Sequence, residues 1–160
     1  MQQPPNLPTA LFTGSFDPFT IGHADIVRRI LPMVSRLVIG VGVNPDKHTL
    51  YPADKRVEAI KALYANEQRI AVVAYTDLTI DLAHREHAQF IVKGVRSVKD
   101  FEYERDQADY NRRLGGIDTL LIPADTTLAA ISSSAYRELT HFGKDASWML
   151  PEDIAGAYRP

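Results

Sequence analysis

The sequence has no cysteine. Disulfides and thiolate metal sites are therefore excluded, which fits a cytoplasmic setting. Net charge is also nearly absent, −2 over 160 residues. Broad attraction to nucleic acid or to an acidic membrane is not indicated, so neither is expected as a partner. No apolar run approaches the roughly 20 residues that a membrane span needs. The opening MQQPPNLP lacks a basic n-region and an apolar h-region, which predicts no secretory signal. There is no P-loop and no Gly-x-Ser-x-Gly elbow. Gly40-Val41-Gly42-Val43-Asn44-Pro45 begins like a dinucleotide fingerprint, but it lies inside a predicted strand and ends on proline.

Hydrophobic residues make up 45% of the chain, enough for a core. The length suits one domain over residues 1–160, with 1–8 as a loose, proline-rich arm. Short apolar runs predict strands at 10–13, 37–43, 70–75, 90–93 and 119–122. Helical spacing predicts helices at 22–34, from Pro52 through Leu63, 78–87, 99–114, 132–142 and 151–158, with Pro32 kinking or stopping the first. Strands that are apolar rather than alternating, each followed by a helix, predict a parallel sheet covered on both faces. Right-handed crossovers make this a Rossmann-like, doubly wound α/β fold with five strands, which binds ligands at the carboxyl ends of its strands.

Three stretches fall at those ends. The first is Gly14-Ser15-Phe16-Asp17-Pro18-Phe19-Thr20-Ile21-Gly22-His23. Gly14 permits close backbone approach, Ser15 adds a hydroxyl, and His23 opens a helix whose free N–H groups favour an anion. A cationic His23 is disfavoured there, so it stays neutral until a bound polyphosphate reverses the preference. A lone Gly-His pair would read as an ordinary helix start, but ten residues of this content read as a site. The second stretch is Lys93-Gly94-Val95-Arg96-Ser97, leading into Asp100-Phe101-Glu102-Tyr103-Glu104. The third is Ile131-Ser132-Ser133-Ser134, where one serine suffices to cap a helix and three form a phosphate nest. Lys47, Lys93 and Arg96 then converge on one edge, although any one alone would read as a solvated charge. His84 and His87, placed on one helix face without a third ligand, read as solvated rather than as a zinc pair. Residues 105–113 read as an exposed or subunit-contacting helix, and Met33, Trp148 and Met149 as packing.

These strings resemble the nucleotidyltransferase superfamily, and within it the phosphopantetheine adenylyltransferases. The first matches the Gly-Thr/Ser-Phe-Asp loop followed by Thr/His-x-Gly-His, with Thr20 in the variant usual for that branch. Asn44-Pro45-Asp46-Lys47 matches the loop with the family's substrate-phosphate lysine. The resemblance spans about residues 10–153 and implies transfer of the adenylyl group of ATP to 4′-phosphopantetheine, giving dephospho-coenzyme A. It implies His23, Lys47 and Arg96 as catalytic residues, with His23 stabilising the transition state. It implies ATP held by Ser15, Phe16, His23, Gly94, Val95, Arg96, Glu104 and by Leu128, Ala129, Ala130, Ile131, Ser132, Ser133 and Ser134. Ser15, Lys47 and Lys93 would hold the acceptor's phosphate, and Thr79 would line the pocket of its arm. Mg²⁺ as cofactor and a homohexamer are implied as well. Two positions depart from the family pattern. Lys93 stands where arginine is common, keeping the charge but not the bidentate fork. Leu128-Ala129-Ala130 replaces an aromatic-containing segment, so backbone contacts to adenine are expected there. A sister nucleotidyltransferase acting on nicotinamide mononucleotide or glycerol phosphate, and a non-catalytic nucleotide sensor, are the alternatives.

Overall fold

The apolar runs form the strands β1 (Thr9–Gly14), β2 (Arg36–Gly42), β3 (Ile70–Tyr75), β4 (Phe90–Val95) and β5 (Asp118–Pro123) of one sheet. The computed structural model describes residues 6–158. All neighbouring strands are parallel, in the order β3-β2-β1-β4-β5. The helices are α1 (Ile21–Ile30), α2 (Ala53–Leu63), α3 (Thr79–Arg85), α4 (Val98–Gly115), α5 (Ser133–His141) and α6 (Glu152–Ala155).

Each central strand is buried on both faces, which is why its sequence does not alternate. Ala10 and Phe12 of β1, with Leu37, Ile39 and Val41 of β2, pack on one face against Ile26, Val27, Val57 and Ile60 from α1 and α2. Leu11, Val38 and Ile91 pack on the other face against Leu82 and Ala83 of α3. The glycine inside β2 is steric in origin. A Cβ at Gly40 would lie 2.7 Å from Leu82 Cδ2 and 3.0 Å from Thr13 Cγ2.

Local chemistry sets the helix bounds. Thr20 caps α1, so the helix starts at Ile21, and it gives way to a 3₁₀ turn at Leu31–Met33 containing Pro32. α3 ends at Arg85, and His87 lies beyond it with φ 55°, so the two histidines do not share a helix face as the spacing suggested. His84 Nε2 instead lies 2.9 Å from the carbonyl of Gly115, at the end of α4. Met149 is buried, but Met33 and Trp148 are more than half exposed (53% and 58%), so neither packs in the core. α4 buries no residue and carries exposed Phe101, Tyr103, Tyr110 and Leu114. In the N-terminal arm, residues 1–5 lie outside the described residues. The carbonyl of Pro8 accepts from Ser35 N at 2.9 Å, so the arm is tied down at its end.

The register contains one break. β1 pairs with β2 from Thr9↔Arg36 through Gly14↔Val41, but with β4 only from Ala10↔Phe90 to Phe12↔Val92. Beyond Phe12 the two central strands part. This is the point where strand order reverses, and it opens the carboxyl end of the sheet.

Candidate active site

Where β1 and β4 part, the ladder is replaced by a side chain: Lys93 Nζ donates to the carbonyl of Thr13 at 3.1 Å. Around this gap lies a cavity of about 380 Å³. It brings together Ser15, Phe16, His23, Lys47, Lys93, Gly94, Arg96, Glu104, Leu128, Ile131 and the serines 132–134, which lie far apart in the chain. Four predicted site residues do not line it. Val95 is buried in β4, Ala130 is exposed, and Ala129 contributes its carbonyl as an acceptor for Arg96 Nη1 at 3.5 Å. Thr79 sits at the start of α3 with its hydroxyl 3.1 Å from that of Tyr75.

His23 is fixed by its own helix start. The backbone N–H of Thr20 donates to His23 Nδ1 at 2.9 Å, and His23 N donates to Thr20 Oγ1 at 3.5 Å, a reciprocal capping box. An Nδ1 that accepts a backbone N–H carries no proton, so the ring proton sits on Nε2. The ring is enclosed by Phe16 and Phe19, with centroids 5.0 and 5.3 Å away. Burial, then the charges of Arg96 and Lys93, lowers its pKa from 6.5 to about 4. His23 is a neutral donor near neutral pH, with burial as the first cause.

The loop before α1 is held at several points. Phe16 adopts a left-handed backbone, φ 48°. Asp17 is buried and its carboxylate accepts from Leu50 N and Tyr51 N at 2.8 and 2.9 Å. It thereby ties this loop to the segment carrying Lys47. Arg56 of α2 is 2% exposed and donates to the carbonyls of Ser15, Gly42 (3.1 Å) and Tyr51 (3.0 Å). Its guanidinium joins the loop, the end of β2 and the end of the Lys47 segment. Sequence reasoning missed Asp17 as an anchor and missed Arg56 entirely, since an arginine in a helix reads as solvated. Arg137 also lines the cavity. It sits three residues after Ser134 on the same helix, and that spacing was the available signal.

The three serines have separate tasks. Ser132 caps α5, accepting from Ala135 N at 3.0 Å, while Ser133 Oγ donates to Pro18 O at 2.8 Å. Ser134 Oγ accepts from Arg137 Nη2 at 3.2 Å. The lining is strongly cationic for a chain of net charge −2, with Lys47, Lys93, Arg96 and Arg137 against the one carboxylate of Glu104. Lys93 Nζ lies 3.8 Å from Glu104 Oε2. Burial lowers the lysine's pKa and raises the glutamate's, and each partner's charge partly offsets the other's shift. Arg96 Nε lies 3.3 Å from Asp100 Oδ2, which also accepts the Arg96 backbone N–H at 3.1 Å. Such a site can gather several phosphates, donate from a neutral imidazole, and stabilise charge without a protein nucleophile.

A family model described as cytidylyltransferase-like matches residues 11–139. Phosphopantetheine adenylyltransferase of Phocaeicola vulgatus is 52% identical over 145 residues, covering 91% of this chain and 96% of that one. The enzyme of the same name from Porphyromonas gingivalis is 52% identical over 143 residues, 89% of this chain and 94% of its own. That of Bacteroides fragilis is 50% identical, covering 91% and 97%. Among solved structures, a bifunctional NMN adenylyltransferase/ADP ribose pyrophosphatase from Francisella tularensis superposes with a TM-score of 0.67 at 15% identity. The match covers 90% of this chain and 45% of that one, and at this identity it speaks for the fold alone.

Proposed function

This chain belongs to the phosphopantetheine adenylyltransferases within the cytidylyltransferase-like family, and from that premise we propose how its residues divide the reaction. The enzyme transfers the adenylyl group of ATP to 4′-phosphopantetheine, a step of coenzyme A biosynthesis. An oxygen of the acceptor phosphate forms a bond to the α-phosphorus of ATP. The bond from that phosphorus to the bridging oxygen breaks, and pyrophosphate leaves with the electron pair. Dephospho-coenzyme A is the other product.

Both reactants are polyanions, so the protein's task is to hold them in line and offset charge. His23 donates from Nε2 to a non-bridging oxygen of the α-phosphate as charge grows there. Lys47 and Ser15 orient the attacking phosphate, and Lys93 joins them. Arg96 and the start of α5 hold the leaving group. Gly94, Glu104, Leu128 and Ile131–Ser134 border the nucleotide, while Val95, Ala129 and Ala130, which do not line the cavity, would reach it only through their backbone. Thr79 lies on the path of the pantetheine arm, outside the cavity around His23. The single observation that carries this assignment is the meeting of a neutral, capped His23 with four cations at the parting of β1 and β4.

Mg²⁺ fits as a companion of the nucleotide. Glu104 is the one carboxylate lining the cavity, and no group of three or more acidic or histidine ligands occurs among the described residues. Phosphate oxygens and water would supply most of its ligands, and the ion would neutralise charge on the triphosphate. A homohexamer is proposed from family membership, and the unburied, partly apolar face of α4 supports self-association. A cytoplasmic location accords with the cysteine-free sequence and with the lack, among the described residues, of any helix able to cross a membrane.

The test is pyrophosphate release with ATP and a panel of acceptors: 4′-phosphopantetheine, nicotinamide mononucleotide and glycerol phosphate. Release with the first alone is expected. Release with another acceptor instead would assign a sister activity. ATP binding without release for any acceptor would indicate a nucleotide sensor.

A further inference from the structure

Tyr51 lies four residues beyond Lys47, at the far end of the same segment. Residues 44–48 of that segment are exposed. Its internal bonds are local ones, from Asp46 N to Asn44 Oδ1 at 2.9 Å and from Lys47 N to the Asn44 carbonyl at 3.1 Å. Neither reaches the body of the protein. How Lys47 meets the cavity therefore depends on how the segment is held where it rejoins the fold. There its backbone is held by Asp17, which accepts from Leu50 N and Tyr51 N, and by Arg56, which donates to the Tyr51 carbonyl.

The Tyr51 side chain adds a third hold. Its hydroxyl lies 3.1 Å from that of Tyr136 and donates to the carbonyl of Tyr158 at 3.3 Å. A hydroxyl has a single proton to donate. Tyr51 commits its proton to the Tyr158 carbonyl, so Tyr136 is the donor in the other bond. The relay runs from Tyr136 through Tyr51 to Tyr158. Tyr136 is buried on α5, two residues after Ser134. Tyr158 is buried as well, with its ring centroid 4.4 Å from that of Tyr51. The Tyr158 hydroxyl makes no hydrogen bond among the described residues, although the Phe19 backbone is close enough to favour its ionised form. Its ring and carbonyl, not its hydroxyl, serve Tyr51. The relay thus joins α5, which opens on the serine turn, to the segment that carries the acceptor lysine. In-line attack needs those two sets of groups at a fixed separation.

We propose that Tyr51 is a positioning residue for the acceptor: its hydroxyl, fixed between Tyr136 and Tyr158, holds the Lys47 segment against α5. This rests on the adenylyl-transfer reading above and adds to it a residue that lies outside the cavity around His23.

The experiment is steady-state kinetics with ATP and 4′-phosphopantetheine on the full-length wild type, Tyr51→Phe, Tyr136→Phe and Tyr158→Phe, with thermal unfolding of each. Tyr51→Phe keeps the ring and removes the relay. Its KM for phosphopantetheine should rise roughly fivefold or more, the scale of one lost hydrogen bond, with KM for ATP and kcat within about twofold of wild type. Tyr136→Phe should raise the same KM. The double variant Tyr51→Phe/Tyr136→Phe should raise it by less than the product of the two single effects, because both remove one shared bond. Tyr158→Phe should leave all three constants as in wild type. A merely structural role would lower the melting temperature of Tyr51→Phe and leave its KM for phosphopantetheine unchanged, and that result overturns the proposal. So does an equal rise in both KM values, which marks general loosening, or a rise of the same size in Tyr158→Phe. A wild type that releases pyrophosphate with phosphopantetheine, beside variants of unchanged KM, defeats the Tyr51 assignment alone. A wild type that releases none defeats the adenylyl-transfer reading itself, and this proposal with it.

Discussion

Thr20 and His23 satisfy each other: the backbone N–H of Thr20 donates to the imidazole Nδ1, and the backbone N–H of His23 donates to the threonine hydroxyl. The helix start proposed to receive phosphate thus also chooses the tautomer of His23. Protonating Nδ1 would break the cap, so the fold and the neutral ring support each other.

This has a measurable pH signature. The folded pKa of about 4 lies below the ordinary 6.5. Between those values the unfolded chain takes up a proton that the folded chain refuses, so stability falls as pH drops through the window. At about 1.4 kcal/mol per pH unit, the full loss is on the order of 3 kcal/mol. Nitrogen NMR should show the Nε2–H tautomer at pH 7 and no titration of His23 near 6.5. Denaturation midpoints should fall more steeply from pH 6.5 to 4.5 in the wild type than in His23→Asn. A His23 titrating at its ordinary value would refute the buried, capped state.

His23→Ala should lower turnover by roughly several hundredfold, as loss of a transition-state donor does. It should also cost about 1 kcal/mol of stability through the lost cap. Pyrophosphate release and chemical denaturation check the two effects separately. Near-normal turnover removes His23 from the chemistry.

Arg96→Ala should act chiefly on nucleotide affinity. The side chain lines the cavity between Asp100 and the Ala129 carbonyl, so its loss removes a charge from the wall proposed to hold ATP. Calorimetric ATP affinity that is unchanged would contradict this.

Arg56→Met keeps much of the volume and removes the guanidinium. The carbonyls of Ser15, Gly42 and Tyr51 then lose a shared donor in a buried place. Since each unsatisfied buried group costs about 1–3 kcal/mol, a loss of at least about 3 kcal/mol is expected in urea unfolding. A midpoint within error of wild type would mean that water reaches those carbonyls.

Much of this was legible in advance, and the exceptions have physical causes. The strand runs were found because burial on both faces leaves continuous apolar stretches, as at residues 37–41. β4 runs on to Val95, past the predicted end at Lys93, because Gly94 and Val95 pair with Ile122 and Pro123 of β5. That pairing is a property of register and leaves no mark in composition. Lys47, Lys93, Arg96 and the serines could be brought to one cavity from sequence because each lies near the carboxyl end of a strand or at a helix start. Arg56 could not be placed, because its charge is satisfied by three carbonyls that only the folded chain assembles. The ends of α3 show the same limit: the spacing of His84 and His87 looks helical, but the chain turns left-handed at His87.

The bond from Lys93 to Thr13 has a consequence for selectivity. One of that ammonium's three N–H donors bridges the two parted strands, which pins the charge in place. The remaining donors present no further obstacle to an anion, so attraction to a fixed charge decides the preference. A phosphate dianion gains more from it than a singly charged ion does.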